Sequence, residues 1–131
     1  MGMGRKPRRA DPSWFTPQVD RQRLEHVIEM YLDDCYQARS GARIKEFAHH
    51  IGVTRPHASA VLRRVFGKPA REVFWERQIS YAERLLADTT LSLTEIALAA
   101  GFGTDRTFYR VFRMHHGMTP GEYRDHLTNC Q

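Results

Sequence analysis

The sequence has little cysteine and no long apolar run, and each shortage excludes a class of protein. Its 131 residues include two cysteines, Cys35 and Cys130, which stand far apart and outside any C-x-x-C pattern. This excludes a disulfide framework, a zinc ribbon and a dithiol redox site. No run of about 18 apolar residues occurs, and no apolar stretch follows the basic N-terminus, so neither a membrane span nor a secretory signal is expected. We therefore expect a soluble cytoplasmic protein.

The sequence also lacks the residue groupings of enzymes and metal sites. No activated serine or cysteine and no carboxylate pair is apparent, so we expect no catalytic residues and no enzyme. The histidine pairs at 49–50 and 115–116 consist of neighbours that point to different faces of a helix. We therefore predict no metal and no cofactor.

The chain does carry an excess of positive charge, and this excess is unevenly distributed. Lysine and arginine number 20 against 15 aspartates and glutamates, a formal net charge of +5. Residues 1–12 hold +3 of this charge, so the remaining residues are nearly balanced. With 41% hydrophobic residues we expect one compact domain, or two small ones sharing a core, behind a basic flexible arm at residues 1–17.

The body of the chain is polarised. Residues 20–38 carry a net charge of −3, whereas residues 47–71 hold five cations and no acid. Residues 103–121 repeat this basic character more mildly, with three arginines against one aspartate. One such run is ordinarily a solvated face. Two runs in equivalent places favour a polyanion such as nucleic acid as the partner.

Apolar residues recur at intervals of three and four after the arm, which predicts an all-α fold of about seven helices. The first helix presents an apolar stripe from Leu24 to Tyr36, with Thr16 and Pro17 at its N-cap and first turn. The expected caps of later helices are Thr54, Ser92, Thr104 and Thr119. The aromatic residues expected in the core are Trp75, Phe102, Phe108 and Phe112, and Trp14 and Phe15 are expected to anchor the arm.

An internal repeat is the most informative feature of the sequence. The segments EFAHHIG at 46–52 and EIALAAG at 95–101 share Glu, Ala and Gly at a constant offset of 49 residues. The shared alanine is small where a second helix would cross close over the first, and the shared glycine suits a left-handed turn residue. A short helix, a tight turn and a second helix form a helix-turn-helix.

The repeat predicts two helix-turn-helix subdomains, at 18–69 and 88–131, joined by a linker helix at 70–87. One such turn is often an ordinary corner of a helical bundle, but two copies with basic second helices favour DNA reading. The linker spans roughly 27 Å at about 1.5 Å per residue. This is close to the ~34 Å between successive major-groove faces of B-DNA, so both second helices would enter adjacent turns of the groove.

The C-terminal half carries a longer signature. The runs LTEIALAAGFG at 93–103, FYRVFR at 108–113 and GMTPGEYR at 117–124 resemble the AraC/XylS family of bacterial transcription regulators. The resemblance covers about residues 18–127. Most family members have a separate sensing or dimerisation domain, and none is encoded in this sequence. The chain therefore resembles the small stand-alone members, or the DNA-binding part of a longer regulator.

The resemblance implies a sequence-specific transcription regulator, usually an activator, that binds double-stranded DNA as a monomer beside RNA polymerase. It would be associated with the bacterial nucleoid in the cytoplasm. Two alternatives stay open. The same helices would also suit a protein-interaction module that docks on RNA polymerase or on a partner regulator, or a non-specific DNA binder of the nucleoid type.

The predicted reading residues of the second unit lie on the outward face of its second helix. Arg106 and Arg110, one turn apart, suit bidentate contacts with guanine O6 and N7. Asp105 suits an acceptor role toward cytosine N4, or the orientation of Arg106, and Tyr109 suits a thymine methyl or a phosphate. The predicted DNA-binding residues of this unit are Thr104, Asp105, Arg106, Tyr109, Arg110 and Arg113.

The first unit departs from the family pattern at its equivalent positions. Ala60 stands where relatives often have a large base-reading side chain, so direct reading is expected to be poorer there and to depend on Arg55, Ser59 and methyl contacts. Arg63 and Arg64 suit phosphate contacts, which fix register without reading sequence. The predicted DNA-binding residues of this unit are Arg55, Pro56, Ser59, Ala60, Arg63 and Arg64.

Overall fold

The computed structural model describes residues 13–129, which form seven α-helices and no strand. The all-α prediction is therefore confirmed, whereas residues 1–12 of the expected arm lie outside the described residues. No helix in this range is both long and apolar enough to cross a membrane. The helices are α1 (Arg21–Ala38), α2 (Ile44–Ile51), α3 (Arg55–Phe66), α4 (Ala70–Asp88), α5 (Leu93–Ala99), α6 (Asp105–His116) and α7 (Pro120–Asn129).

The described residues group into two compact units. Unit 1 comprises 13–29 and 43–73, and unit 2 comprises 30–42 and 74–129. Helices α1 and α4 each contribute to both units, because the grouping changes after Glu29 and after Val73. The division at 18–69, 70–87 and 88–131 instead treats the linker as a segment of its own, and it stays a prediction.

Unit 1 has an apolar core to which the segment before α1 contributes. Phe15 is fully buried, and its ring centroid lies 6.3 Å from that of Phe47. The Phe15 carbonyl oxygen lies 3.0 Å from Nε2 of His57 on α3. Phe15 therefore anchors this segment as expected, while Trp14 is half-buried and meets the Phe15 ring edge-on. The other buried apolar residues are Leu24, Ile28, Phe47, Ala48, Ile51, Ala58, Val61, Leu62, Ala70 and Val73.

Helix α1 begins later than the sequence predicts. Thr16 lies in a turn, where its hydroxyl accepts from the Gln18 N–H, and it does not cap the helix. The carboxylate of Asp20 accepts instead from the N–H of Arg23, and the Asp20 carbonyl accepts from the N–H of Leu24. Asp20 competes better for this position because its charged oxygen complements the positive end of the helix dipole.

Unit 2 has its own core, formed where α4, α5 and α6 meet. The buried residues are Ile79, Ala82, Leu86, Ile96, Ala97, Ala100, Phe102, Phe108, Val111 and Phe112. The predictions for Phe102, Phe108 and Phe112 are confirmed. The prediction for Trp75 is wrong in part, because its ring is only half-buried and packs against the edge of this cluster.

Two polar side chains stabilise unit 2 from within. Gln78 is buried, and its Nε2 donates to the carbonyls of Ala100 and Gly101 at 3.1 and 2.7 Å. The Arg124 guanidinium donates to four carbonyls around the end of α4, those of Leu85, Leu86, Thr89 and Leu91. Carbonyls in and beyond the last turn of a helix have few partners within it, so a charged donor there stabilises the helix end.

The predicted turns and caps are present at the helix ends. Gly52 and Gly101 have φ of 97° and 77°, the left-handed conformation expected at the repeat. Thr54 and Thr104 accept from N–H groups three residues on, and Ser92 begins a capping box with Glu95. The N–H of Ser92 donates to the Glu95 carboxylate, and the Ser92 hydroxyl accepts from the Glu95 N–H. Hydrogen bonding with Ser92 holds the pKa of the Glu95 carboxyl below its usual range. Thr119 and Glu122 form the second predicted box, at the start of α7, and the Glu122 pKa is lowered for the same reason.

Candidate nucleic-acid interface

Helix α3 turns its apolar residues inward and its predicted reading residues outward. Ala58, Val61 and Leu62 are buried, so the positions between them are left on the opposite side of the helix. Five of the six predicted residues are exposed and Ser59 is half-buried; the exposed ones are Arg55, Pro56, Ala60, Arg63 and Arg64. The first unit thus presents its candidate residues on one accessible helix face.

A shallow depression of about 240 Å³ lies beside this helix. Three arginines line it, Arg55 and Arg63 from α3 and Arg71 from the first turn of α4. We call it the α3 surface and define it by all its lining residues, which are Ile44, Arg55, Ser59, Arg63, Pro69, Ala70 and Arg71. A concave surface lined by three guanidinium groups suits an anionic ligand such as a phosphate.

Helix α6 repeats the arrangement with larger side chains. Phe108, Val111 and Phe112 are buried on its inner side. All six predicted residues of the second unit are exposed, namely Thr104, Asp105, Arg106, Tyr109, Arg110 and Arg113. The Tyr109 ring meets the buried Phe108 ring edge-on, with centroids 6.0 Å apart, so it stands on the core with its polar end accessible.

The exposed side of α6 lines a larger depression of about 570 Å³. We call it the α6 surface and define it by Asp105, Arg106, Tyr109, Arg110, Arg113 and Thr119. It brings three arginines, one tyrosine and the cap of α7 around one concavity. This combination of guanidinium forks and an aromatic ring is typical of surfaces that contact DNA bases and phosphates.

Arg110 does not extend freely from α6. Its Cζ lies 5.6 Å from the ring centroid of Trp75 on α4, within the range of a cation–π contact. The N–H groups of a guanidinium lie in one plane and point outward at its edge. The contact with the ring therefore restricts Arg110, while the side chain stays exposed to a ligand.

Asp105 and Thr104 have partners within the chain. The Thr94 hydroxyl donates to Oδ2 of Asp105 at 2.9 Å, which ties the first turn of α6 to that of α5. Thr104 caps α6 by accepting from the N–H of Thr107 at 3.2 Å. The cap accounts for Thr104 without a ligand, and the Thr94 contact gives Asp105 a structural role beside the two that the sequence suggests.

The two reading helices end in the same way, which fixes the correspondence between them. The N–H groups of Gly67 and Gly117 donate to the carbonyls of Arg63 and Arg113, each at 2.8 Å. Counting back from these glycines pairs Arg63 with Arg113 and Ala60 with Arg110. The two helices therefore differ at the second pair, where α3 has the methyl group of Ala60 and α6 has the guanidinium of Arg110.

Sequence reasoning missed five lining residues, namely Ile44, Pro69, Ala70, Arg71 and Thr119. Arg71 lies in the acid-free basic stretch, so the charge pattern contained a signal for it. Thr119 was identified only as a helix cap, and the other three were not named among the reading residues. The pattern held no signal for these four, because they reach the surfaces through the packing of neighbouring helices. The structure thus adds residues to the predicted set and moves none of the twelve into the core.

Two helix-turn-helix units with arginine-lined second helices define the class to which this chain belongs. A family model described as a helix-turn-helix domain matches residues 47–126. The chain belongs to this AraC-type helix-turn-helix family, as the signature at 93–124 indicates.

The relatives are regulatory proteins of several bacteria. The melibiose operon regulatory protein of Escherichia coli is 32% identical over 81 residues, which cover 62% of this chain and 27% of that protein. The probable transcription factor PqrA of Proteus vulgaris is 28% identical over 101 residues, covering 77% of this chain and 83% of that protein. The chain thus spans about a quarter of the first relative and most of the second.

Solved structures of low sequence identity share the fold. The DNA-binding domain of the global transcriptional factor AdpA, solved with a target DNA, superposes with a TM-score of 0.71 at 20% identity, covering 82% of this chain and 95% of that one. The C-terminal domain of the response regulator yesN from Fusobacterium nucleatum gives a TM-score of 0.67 at 21% identity, covering 78% and 98%. These likenesses confirm the tandem helix-turn-helix fold.

Proposed function

We propose that this chain is a sequence-specific double-stranded DNA-binding transcription regulator whose helices α3 and α6 enter successive turns of the major groove. The observation that carries the proposal is the α6 surface, where Arg106, Tyr109 and Arg110 share one exposed helix face. Arginine forks at this position match guanine O6 and N7 in the major groove. The DNA-binding domain of AdpA, which has this fold, was solved in complex with a target DNA, and this supports DNA as the ligand.

The two units contribute differently to binding. The α6 surface reads bases, because Arg106 and Arg110 carry bidentate donors. The α3 surface mainly fixes register, because its arginines Arg55, Arg63 and Arg71 suit phosphates. Ala60, on the exposed side of the same helix, is too short for a bidentate contact. Two helices with such different contacts recognise an asymmetric site, so we propose that the protein binds as a monomer.

Selection from a random DNA library tests the proposal. The expected result is a consensus whose conserved positions favour guanine where α6 docks. Recovery of no consensus, or equal affinity for all duplexes, would overturn sequence-specific reading and leave a non-specific nucleoid-type binder. Arg110→Ala is expected to lower affinity for the consensus and to weaken sequence preference, whereas Arg63→Ala should weaken binding to all duplexes alike. Equal behaviour of the two variants would contradict this division.

The salt dependence of binding separates DNA from a protein partner. Six to ten phosphate contacts lose about 10³ to 10⁵ in affinity between about 50 and 200 mM salt, because condensed counterions are released on binding. We expect a dependence of this size. Binding to RNA polymerase with little response to salt, together with no measurable DNA binding, would favour the interaction module instead.

The cellular role follows from DNA reading. We propose that the protein works in the bacterial cytoplasm and activates transcription beside RNA polymerase, as the activator names of relatives such as AarP of Providencia stuartii suggest. A reporter gene placed downstream of the selected consensus tests this role. Expression that rises with the intact chain and falls with Arg110→Ala supports activation, whereas lower expression with the intact chain would indicate repression.

A further inference from the structure

We propose that Trp75 is a positioning residue for DNA reading, because its indole ring holds the Arg110 guanidinium in the orientation that contacts a base. The inference rests on the proposed function and deepens it. It assigns a role in sequence preference to a residue of the long helix α4, outside the reading helix α6.

The first argument is the burial of the tryptophan. Trp75 is half-buried and packs against the core of unit 2. A large aromatic ring at the edge of a core is rigid, because its packed side fixes its rotamer. The ring of Trp75 therefore offers a fixed surface to a side chain that lies over it.

The second argument is the position of the arginine. Arg110 lies over this ring, with Cζ 5.6 Å from the ring centroid. A free arginine has many rotamers, and it loses most of that freedom when it binds a base. The contact with the ring restricts these rotamers before DNA arrives, while Arg110 stays exposed to a base.

The third argument is the contrast with unit 1. Ala60 stands at the position equivalent to Arg110 and carries no group to orient. Helix α4 holds a second cation–π pair, in which the Cζ of Arg84 lies 5.4 Å from the ring centroid of Tyr81. Neither residue lines the α6 surface. This second pair serves as an internal control.

The contact itself is tested without DNA. In a Trp14→Phe background Trp75 is the sole tryptophan, and its emission reports on its own surroundings. We expect Arg110→Ala to increase quenching of this emission by acrylamide, because the indole face loses its cover. Arg84→Ala should leave the quenching unchanged. An Arg110→Ala variant quenched no more than its parent would overturn the proposal.

The role in reading is tested with the selected consensus duplex and a scrambled duplex of the same composition. Trp75→Leu should weaken binding to the consensus about three- to fivefold, the size of an exposed cation–π contact, and change binding to the scrambled duplex by less than twofold. Trp75→Phe keeps an aromatic face and should restore most of the preference. Tyr81→Leu removes another half-buried ring of α4 and should lower thermal stability without changing the ratio of the two affinities.

A double-mutant cycle decides whether Trp75 acts through Arg110. In an Arg110→Ala background, Trp75→Leu is expected to have no further effect on consensus affinity. An equal loss in both backgrounds, or an equal loss on both duplexes, would show a structural role and overturn the proposal. Failure of the parent chain to select any consensus would end both the proposed function and this role. Selection of a consensus with additive losses would end only the role of Trp75.

Discussion

Units 1 and 2 each hold a helix-turn-helix, and the starts of their first helices differ. The N-cap position of helix α2 is Arg43, whose side chain makes no capping hydrogen bond, whereas the equivalent helix α5 begins with a complete capping box. Unit 2 adds the buried Gln78 and the Arg124 guanidinium, each bonded to backbone carbonyls. Unit 2 also carries the larger reading side chains. Base reading needs donors held in place, whereas phosphate contacts tolerate more movement, so these contacts suit the unit that reads bases.

The largest loss of stability is expected from Arg124→Ala, which removes one of the two sets of side-chain contacts that distinguish unit 2. Four carbonyls at the end of α4 lose a charged donor, and we expect the free energy of unfolding to fall by about 2–4 kcal/mol. Chemical denaturation measures this change. Asp125→Ala, at the exposed neighbouring position, is the control and should change stability by less than about 0.5 kcal/mol. Equal losses in both variants would contradict the assigned role of Arg124.

Gly101→Ala should have the next largest effect, and Gly117→Ala is its matched control. The two glycines have nearly equal φ, 77° and 75°, so a Cβ costs about 1–2 kcal/mol of strain at either. At Gly101 the added Cβ also meets Nε2 of Gln78 at 3.2 Å, whereas nothing lies within 4 Å at Gly117. We therefore expect Gly101→Ala to lower the melting temperature more. Equal shifts would mean that Gln78 moves aside freely.

Substitution of single base pairs in the selected site sharpens the comparison of the two reading surfaces. Changes where α6 docks should each weaken binding by about 1–3 kcal/mol, and changes where α3 docks by clearly less. Competition binding over all single substitutions measures both sets. A flat profile across the α6 half, or a stronger penalty in the α3 half, would reverse the assignment of roles.

The smallest effect expected is an acid sensitivity that belongs to unit 2. Glu95 and Glu122 have lowered pKa values in the folded chain, because N–H groups and hydroxyls of Ser92 and Thr119 bond their carboxylates. A lowered folded pKa gives stability that is present above the ordinary glutamate pKa of about 4.3 and is lost as pH falls through the folded value.

Melting temperatures at about pH 6 and about pH 3 test this sensitivity, because the lower pH lies below the ordinary glutamate pKa and protonation there begins to remove the stability of the boxes. The decrease in melting temperature from the higher to the lower pH should be smaller in Ser92→Ala than in the parent chain, because the variant has already lost hydrogen bonds that acid removes. Ser80→Ala, at an exposed position of α4, should behave like the parent. An unchanged decrease in Ser92→Ala would show that other carboxylates control the acid response.

Local sequence patterns were sufficient to predict most of the fold and the accessible face of each reading helix. Caps, glycine turns and the inward residues of α6 depend on spacings of three and four within one helix, so they can be recognised without a structure. The start of α1 was predicted wrongly because Thr16 and Asp20 both suit an N-cap, and only the hydrogen bond from Arg23 distinguishes them.

The remaining features depend on contacts between distant parts of the chain. Gln78 is polar and would ordinarily be exposed, and its burial follows from carbonyls more than 20 residues away. Trp75 was predicted in the core because it is a large aromatic residue, and the arginine that lies over its ring belongs to a different helix, α6. Helix α4 contributes to both units, so its buried residues follow no single stripe. Side-chain spacing within one helix carries no information about such contacts.

The membership of residues 30–42 in unit 2 has a consequence for biosynthesis. The Tyr36 ring stacks on Tyr81 with centroids 4.4 Å apart, and the N–H of Ala42 donates to the carbonyl of Gly101. During translation these early residues leave the ribosome long before their partners exist. The second half of α1 therefore stays exposed or bound to a chaperone until α4 and α5 leave the ribosome. A gene fragment that begins at the linker helix would encode unit 2 without this portion, so exchange of the two halves between regulators requires more than a single cut.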